Sequence, residues 1–211
     1  MKTDELIDLL ARNAGPAPSA LAARRLAPAA GLGLLLASVG SLAVIGLIPM
    51  PMFSGPVPWM KLAYGGALAL AAGWLTARLS RPAAPTTAAG LLLLAVVAAM
   101  LLLALSLWLQ QPALTRWAEL LGHSWSRCPF IVLMLSLPAL AGTLWAVRGL
   151  APTRPRAAGF AAGLLAGSVG ACGYALSCTE ASPMFVALWY TLGIALTGFL
   201  GAALGPRVLR W

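Results

Sequence analysis

Six runs of this chain hold no Asp, Glu, Lys, Arg or His: residues 29–48, 62–77, 88–109, 129–147, 157–178 and 184–205. Each is long enough, or nearly so, to cross the hydrocarbon core of a bilayer. The second is the shortest, and Pro58, Trp59 and Met60 extend it outward. With 61% hydrophobic and only 9% charged residues, the chain has too little polar surface for a soluble domain of its size. The expected fold is all-α: a polytopic membrane protein with six transmembrane helices. Residues 1–26 form an N-terminal amphipathic helix and linker, and residues 27–211 form the six-helix domain.

The basic residues set the orientation. Lys2, Arg12, Arg24, Arg25, Arg78, Arg81, Arg148, Arg154, Arg156, Arg207 and Arg210 fall on one side of the six runs, while only Lys61, Arg116 and Arg127 fall on the other. Positive residues stay inside, so both termini are expected in the cytoplasm. The formal charge of +9 is then a topology signal, with an attraction to anionic lipid at the inner rim. The first run is longer than a signal-peptide core and follows an acidic segment, so it is expected to remain uncleaved.

Residues 1–13 read as a short amphipathic helix. Thr3 or Asp4 caps it, Asp4, Glu5 and Asp8 suit its N-terminal half, and Leu6, Ile7, Leu9 and Leu10 line an apolar stripe. Gly15, Pro16 and Pro18 end it. Alone, a helix this short is marginal in water. It either lies on the membrane surface or docks in a groove of a cytoplasmic partner, and its acid-rich start fits the second use better.

The last two runs form a hairpin. Gly159, Gly163 and Gly167 recur at four-residue spacing in the first, followed by Gly170 and Gly173; Gly193, Thr197, Gly201 and Gly205 answer in the second. Small residues four apart make a flat face that lets two backbones approach closely in lipid. The turn between them, Thr179 to Pro183, follows Cys178 directly.

Several chemistries are missing. The runs carry no ionisable acid, base or histidine of the kind that marks proton-coupled transporters and pumps. There is no phosphate loop, zinc-protease His pair or Cys-x-x-Cys. The sequence therefore argues against an enzyme, and no cofactor is expected. Three cysteines remain. Cys128 opens the fourth run and Cys178 closes the fifth, which puts both at the outer surface. Cys172 lies deeper, roughly 9 Å down the helix and about 120° round from Cys178. Cys128 and Cys178 can be bridged if their Cα atoms come within about 7 Å. Alternatively they bind a soft metal ion with His123 or Glu180 nearby, or simply pack. Cys172, between Ala171 and Gly173, reads as packing, His123 as a surface residue and Glu180 as a solvated turn residue.

The opening Met1-Lys2-Thr3-Asp4-Glu5-Leu6-Ile7-Asp8-Leu9-Leu10, the Trp125-Ser126-Arg127-Cys128-Pro129 segment and the stretch from Gly170 to Cys178 share a resemblance, which is strongest in Phe185–Ile194 and the ending Gly205-Pro206-Arg207-Val208-Leu209-Arg210-Trp211. In order and spacing these segments resemble the NrsF-type membrane anti-sigma factors of bacteria. That resemblance implies an inner-membrane protein that sequesters an extracytoplasmic-function sigma factor without touching nucleic acid itself. It also implies that two outward-facing cysteines, here Cys128 and Cys178, sense heavy-metal or oxidant stress, with transient metal capture at the pair. Leu6, Ile7, Leu9 and Leu10 are the expected partner-binding residues. The alternatives are a small membrane thiol-disulfide redox protein and, more distantly, a transporter of a small apolar or metal solute.

Overall fold

The computed structural model describes residues 3–13, 20–82, 84–150 and 152–210, with the backbone alone at residues 6 and 10–13. Among the described residues the chain is helical, with no strand. The elements are α1 (Thr3–Asn13), α2 (Leu21–Val44), α3 (Pro56–Leu79), α4 (Thr87–Gln110), α5 (Arg116–Leu121), α6 (Cys128–Arg148), α7 (Pro155–Ala175) and α8 (Pro183–Val208). A 3₁₀ turn over Met50–Ser54 leads into α3.

Each of the six uncharged runs lies largely within one helix. Five of these, α2, α4, α6, α7 and α8, are long and apolar enough to cross a membrane. The other, α3, is equally long at 24 residues, but Lys61 near its start and Arg78 near its end make it less apolar. The first run also understates its helix. Arg24, Arg25 and Pro28 interrupt the apolar pattern yet lie within α2, which starts at Leu21. A charge ends an apolar run; it does not end a helix whose backbone bonds are still made.

α7 is the hub. It packs against α2, α3, α6 and α8, and 89% of its most apolar stretch is buried. Small side chains make this possible: Gly159, Ala162, Gly163, Ala166, Gly167, Gly170 and Ala171 are all buried. The large apolar residues face outward instead, with Leu91, Leu94 and Leu102 of α4 and Trp145 of α6 between 60 and 78% exposed. A surface this apolar suits lipid rather than water.

The α7–α8 hairpin forms as the spacing suggests. A Cβ on Gly159 would run into the Gly201 carbonyl, and one on Gly163 into the Thr197 carbonyl and, at 2.8 Å, Gly198 Cα. A Cβ on Gly167 would sit 2.9 Å from Ile194 Cα. The remaining glycines serve other neighbours. Gly170 abuts Ser136 of α6, Gly173 abuts Ala37 of α2, and Gly193 abuts Val132 of α6.

Candidate functional site

Four elements converge at the end of the bundle where α6 begins and α7 stops. Pro129 stands in the first turn of α6, where a missing N–H breaks no helical bond. The Cys128 N–H donates to the Ser124 carbonyl at 2.8 Å, so the preceding loop fixes where the thiol starts. After Ala175 the chain tightens, with the Ser177 and Cys178 N–H groups both donating to the Tyr174 carbonyl. Cys178 is thereby held just beyond the helix end. Both cysteines are free thiols, and both are covered, at 0 and 3% exposure. Their position along the chain puts them at one end of the bundle; the packing of that end hides them from solvent.

Tyr174 of α7 and Tyr190 of α8 flank the pair, their ring centroids 5.7 Å apart. Tyr190 is 1% exposed, and its hydroxyl has no hydrogen-bond partner among the described residues. It closes a π-helical segment, Val186–Tyr190, inside α8, a local distortion that often accompanies functional sites. On α3, Tyr64 and Thr191 share a 2.6 Å hydrogen bond that ties this helix to α8.

The most informative member is Lys61, whose place in the sequence marks it only as a charge beside an apolar run. It is 1% exposed. Its Nζ donates to the Cys178 carbonyl at 2.7 Å and lies 6.0 Å from the centre of the Tyr190 ring. The ion pair found among the described residues joins His123 and Glu180, so no described carboxylate lies within 4 Å of this ammonium. The lysine thus holds the backbone of the residue that carries one of the two thiols. Burying an ammonium without a counter-ion costs several kcal/mol, and an ordinary packing site would not carry that cost.

Glu180, in the turn after Cys178, is not the solvated turn residue expected from the sequence. Its Oε1 accepts hydrogen bonds from the His123 N–H at 2.8 Å, the Ser124 N–H at 2.9 Å and the Ser124 hydroxyl at 3.0 Å. Its side chain is only 10% exposed, while the His123 ring is fully solvated. Gly122, at φ +56, leaves room for the carboxylate: a Cβ there would lie 2.6 Å from Oε2. Trp189 adds a second tie, its Nε1 donating to the Leu120 carbonyl at 2.9 Å, and its ring packs 5.5 Å from Trp125. The α7–α8 turn is thus pinned to the segment that leads into Cys128. Glu180→Ala is expected to lower stability by about 2 kcal/mol, the scale of hydrogen bonds to a charged group. It should also speed alkylation of Cys178 in the folded protein, read by mass spectrometry.

Cys172 stands apart. Its Sγ fills the notch at Gly65 of α3, 2.6 Å from where a Cβ would be. Among the described residues, no group of three or more His, Cys, Asp or Glu side chains is placed to hold a metal ion.

On α1, Ile7 and Leu9 are 58 and 48% exposed, and Asp4, Glu5 and Asp8 are exposed beside them. The side chains of Leu6 and Leu10 lie outside the described residues, as do linker residues 14–19. Away from the cysteines, Arg24, Arg25, Arg148 and Arg210 surround one groove, and Arg156 and Arg207 flank Arg210 in the next.

These features define an apolar helical bundle with a covered thiol pair at one end and a strongly basic opposite end. The family model described as "Negative regulator of sigma F", NrsF, matches residues 10–211, and the chain belongs to that family. Over the full length of both chains it is 40% identical to "Anti-sigma-F factor NrsF" of Caulobacter vibrioides and 38% identical to "Probable anti-sigma-F factor NrsF" of Azospira oryzae. No solved structure gives a significant match.

Proposed function

We propose that this chain is an inner-membrane anti-sigma factor. It holds an extracytoplasmic-function sigma factor inactive at its cytoplasmic end and releases it when Cys128 and Cys178 are oxidised or capture a heavy-metal ion. The observation that carries the reading is the full-length similarity to two relatives named as anti-sigma-F factors. All six long helices cross the membrane, α3 included, and the excess of arginine on one side puts both termini in the cytoplasm. Residues 1–26 then face the partner, and residues 27–211 carry the signal.

The exposed Ile7 and Leu9, with Leu6 and Leu10 on the same short helix, supply an apolar stripe for a partner groove. At the other end, oxidation by hydrogen peroxide turns one thiol into a sulfenic acid with release of water. The second thiol then displaces hydroxide from that sulfur, and a disulfide and a second water result. A soft metal ion would instead take both sulfurs as thiolates and release two protons. Both routes pass through a thiolate, whose charge the Lys61 ammonium balances. Either product draws the start of α6 toward the end of α7, and the close-packed α7–α8 pair passes the shift along the bundle. Such a stimulus acts only by favouring one of two arrangements with a real free-energy difference.

Co-purification from mildly solubilised membranes tests the proposal. The full chain should bring down a sigma factor under reducing conditions and lose it after peroxide or cadmium treatment. A chain lacking residues 1–13 should not retain it. The Cys128→Ser/Cys178→Ser double variant should retain it throughout. Release from that double variant would sink the sensor assignment. If no sigma factor binds in any condition while the thiols exchange with a reporter disulfide, the chain is a redox protein instead.

A further inference from the structure

We propose that the groove between α2 and the C-terminal ends of α6 and α8 binds an anionic phospholipid. The groove encloses about 850 Å³ and is bordered by Arg24, Arg25, Arg148 and Arg210. No Asp or Glu lines it, and no described carboxylate lies within 4 Å of any of these four arginines, since the ion pair found sits at the cysteine end. Four guanidinium groups around one cavity repel each other, and no described side chain neutralises them, which favours an anion from outside the chain. Arginine's planar fork matches a phosphate, which it can hold through two parallel hydrogen bonds.

The floor selects which kind of phosphate. Leu32 and Trp145 line the same groove and are 59 and 78% exposed. They continue the apolar outer faces of α2 and α6. A free phosphate would leave that apolar surface wet, whereas a phospholipid covers it with acyl chains while its headgroup meets the arginines. Basic pockets between membrane helices on the cytoplasmic side bind acidic headgroups in this way. Arg25 has a further duty, because its guanidinium lies against Gly149 at the end of α6. The better test residues are therefore Arg24 and Arg148.

The inference rests on the membrane reading above, and its test separates the two. The purified full chain is exchanged into bilayer discs of phosphatidylcholine containing a minor share of phosphatidylglycerol, and the lipids retained after mild detergent extraction are counted by native mass spectrometry. The wild-type chain should retain phosphatidylglycerol over phosphatidylcholine by on the order of tenfold. Arg24→Gln/Arg148→Gln should lose most of that preference, and Arg127→Gln, at the cysteine end, should keep it. Equal preference in the double variant and the wild type would overturn the proposal. So would a wild-type chain indifferent to lipid charge, which would leave the groove to an acidic face of a protein. A chain washed off membranes by alkali would remove the membrane reading itself; a chain that stays but shows no preference removes only the groove.

Discussion

Gly163→Leu is expected to drive α7 and α8 apart and abolish the compact fold, while Gly163→Ala already costs about 1–3 kcal/mol. The reason is what lies opposite. A Cβ at 163 points into the Thr197 carbonyl and sits 2.8 Å from Gly198 Cα. Both obstacles are backbone, so no side-chain rotation relieves the contact. Gly159 faces the Gly201 carbonyl, Gly201 faces the Gly159 carbonyl, and Gly205 faces that of Pro155. One enlarged residue therefore lifts a whole run of close contacts. Between helices in lipid, packing of this kind and the weak Cα–H···O contacts it allows replace the hydrophobic drive that operates in water. Gly90→Ala supplies the contrast, since nothing lies within 4 Å of a Cβ there. In the first turn of α4 that change should be neutral or stabilising by less than about 1 kcal/mol. Melting temperatures in mild detergent should fall for the first substitution and hold or rise for the second.

That contrast shows what the sequence can disclose. The spacing of Gly159, Gly163 and Gly167 named the hairpin because helical neighbours repeat at nearly four residues, and the partner helix carried a matching set. Gly170, three residues after Gly167, returns to nearly the same face of the helix as Gly159 and Gly163. Yet α6 and not α8 lies opposite it, and Gly173 meets α2. No linear pattern reports that α7 is enclosed on every side. The charge pattern similarly marked the apolar runs but not the true start of α2, because Arg24 and Arg25 can lie on a helix as it leaves the membrane.

The cysteine end was legible in kind and not in detail. The two thiols could be assigned to one end from their places in the runs. Their surroundings could not, because Glu180 ties the turn after Cys178 to His123 and Ser124, more than fifty residues away in the chain. Lys61 carried one signal: it follows Pro58, Trp59 and Met60, which were expected to extend the helix, so it lies within α3 and not in a loop. Nothing in the sequence shows which way its side chain points.

Lys61→Met is accordingly the substitution expected to separate function from stability most cleanly. Two effects oppose each other in the folded protein. Losing the donor to the Cys178 carbonyl leaves a buried acceptor unpaired, at about 1–3 kcal/mol. Removing an ammonium buried without a carboxylate partner recovers several kcal/mol of lost hydration. Methionine fills a similar volume, so the variant should melt at or above the wild-type temperature. Its thiols should behave differently. Without the neighbouring cation, a thiolate at Cys128 or Cys178 loses charge compensation, and loss of about 1.4 kcal/mol is already tenfold in reactive species. Alkylation of the two cysteines by iodoacetamide at neutral pH should slow by about that factor. Peroxide should release correspondingly less sigma factor, and Lys61→Arg, which keeps the charge, should restore part of the rate. A Lys61→Met protein that reacts at the wild-type rate but melts lower would make this lysine an anchor for the Cys178 turn and no part of the sensor.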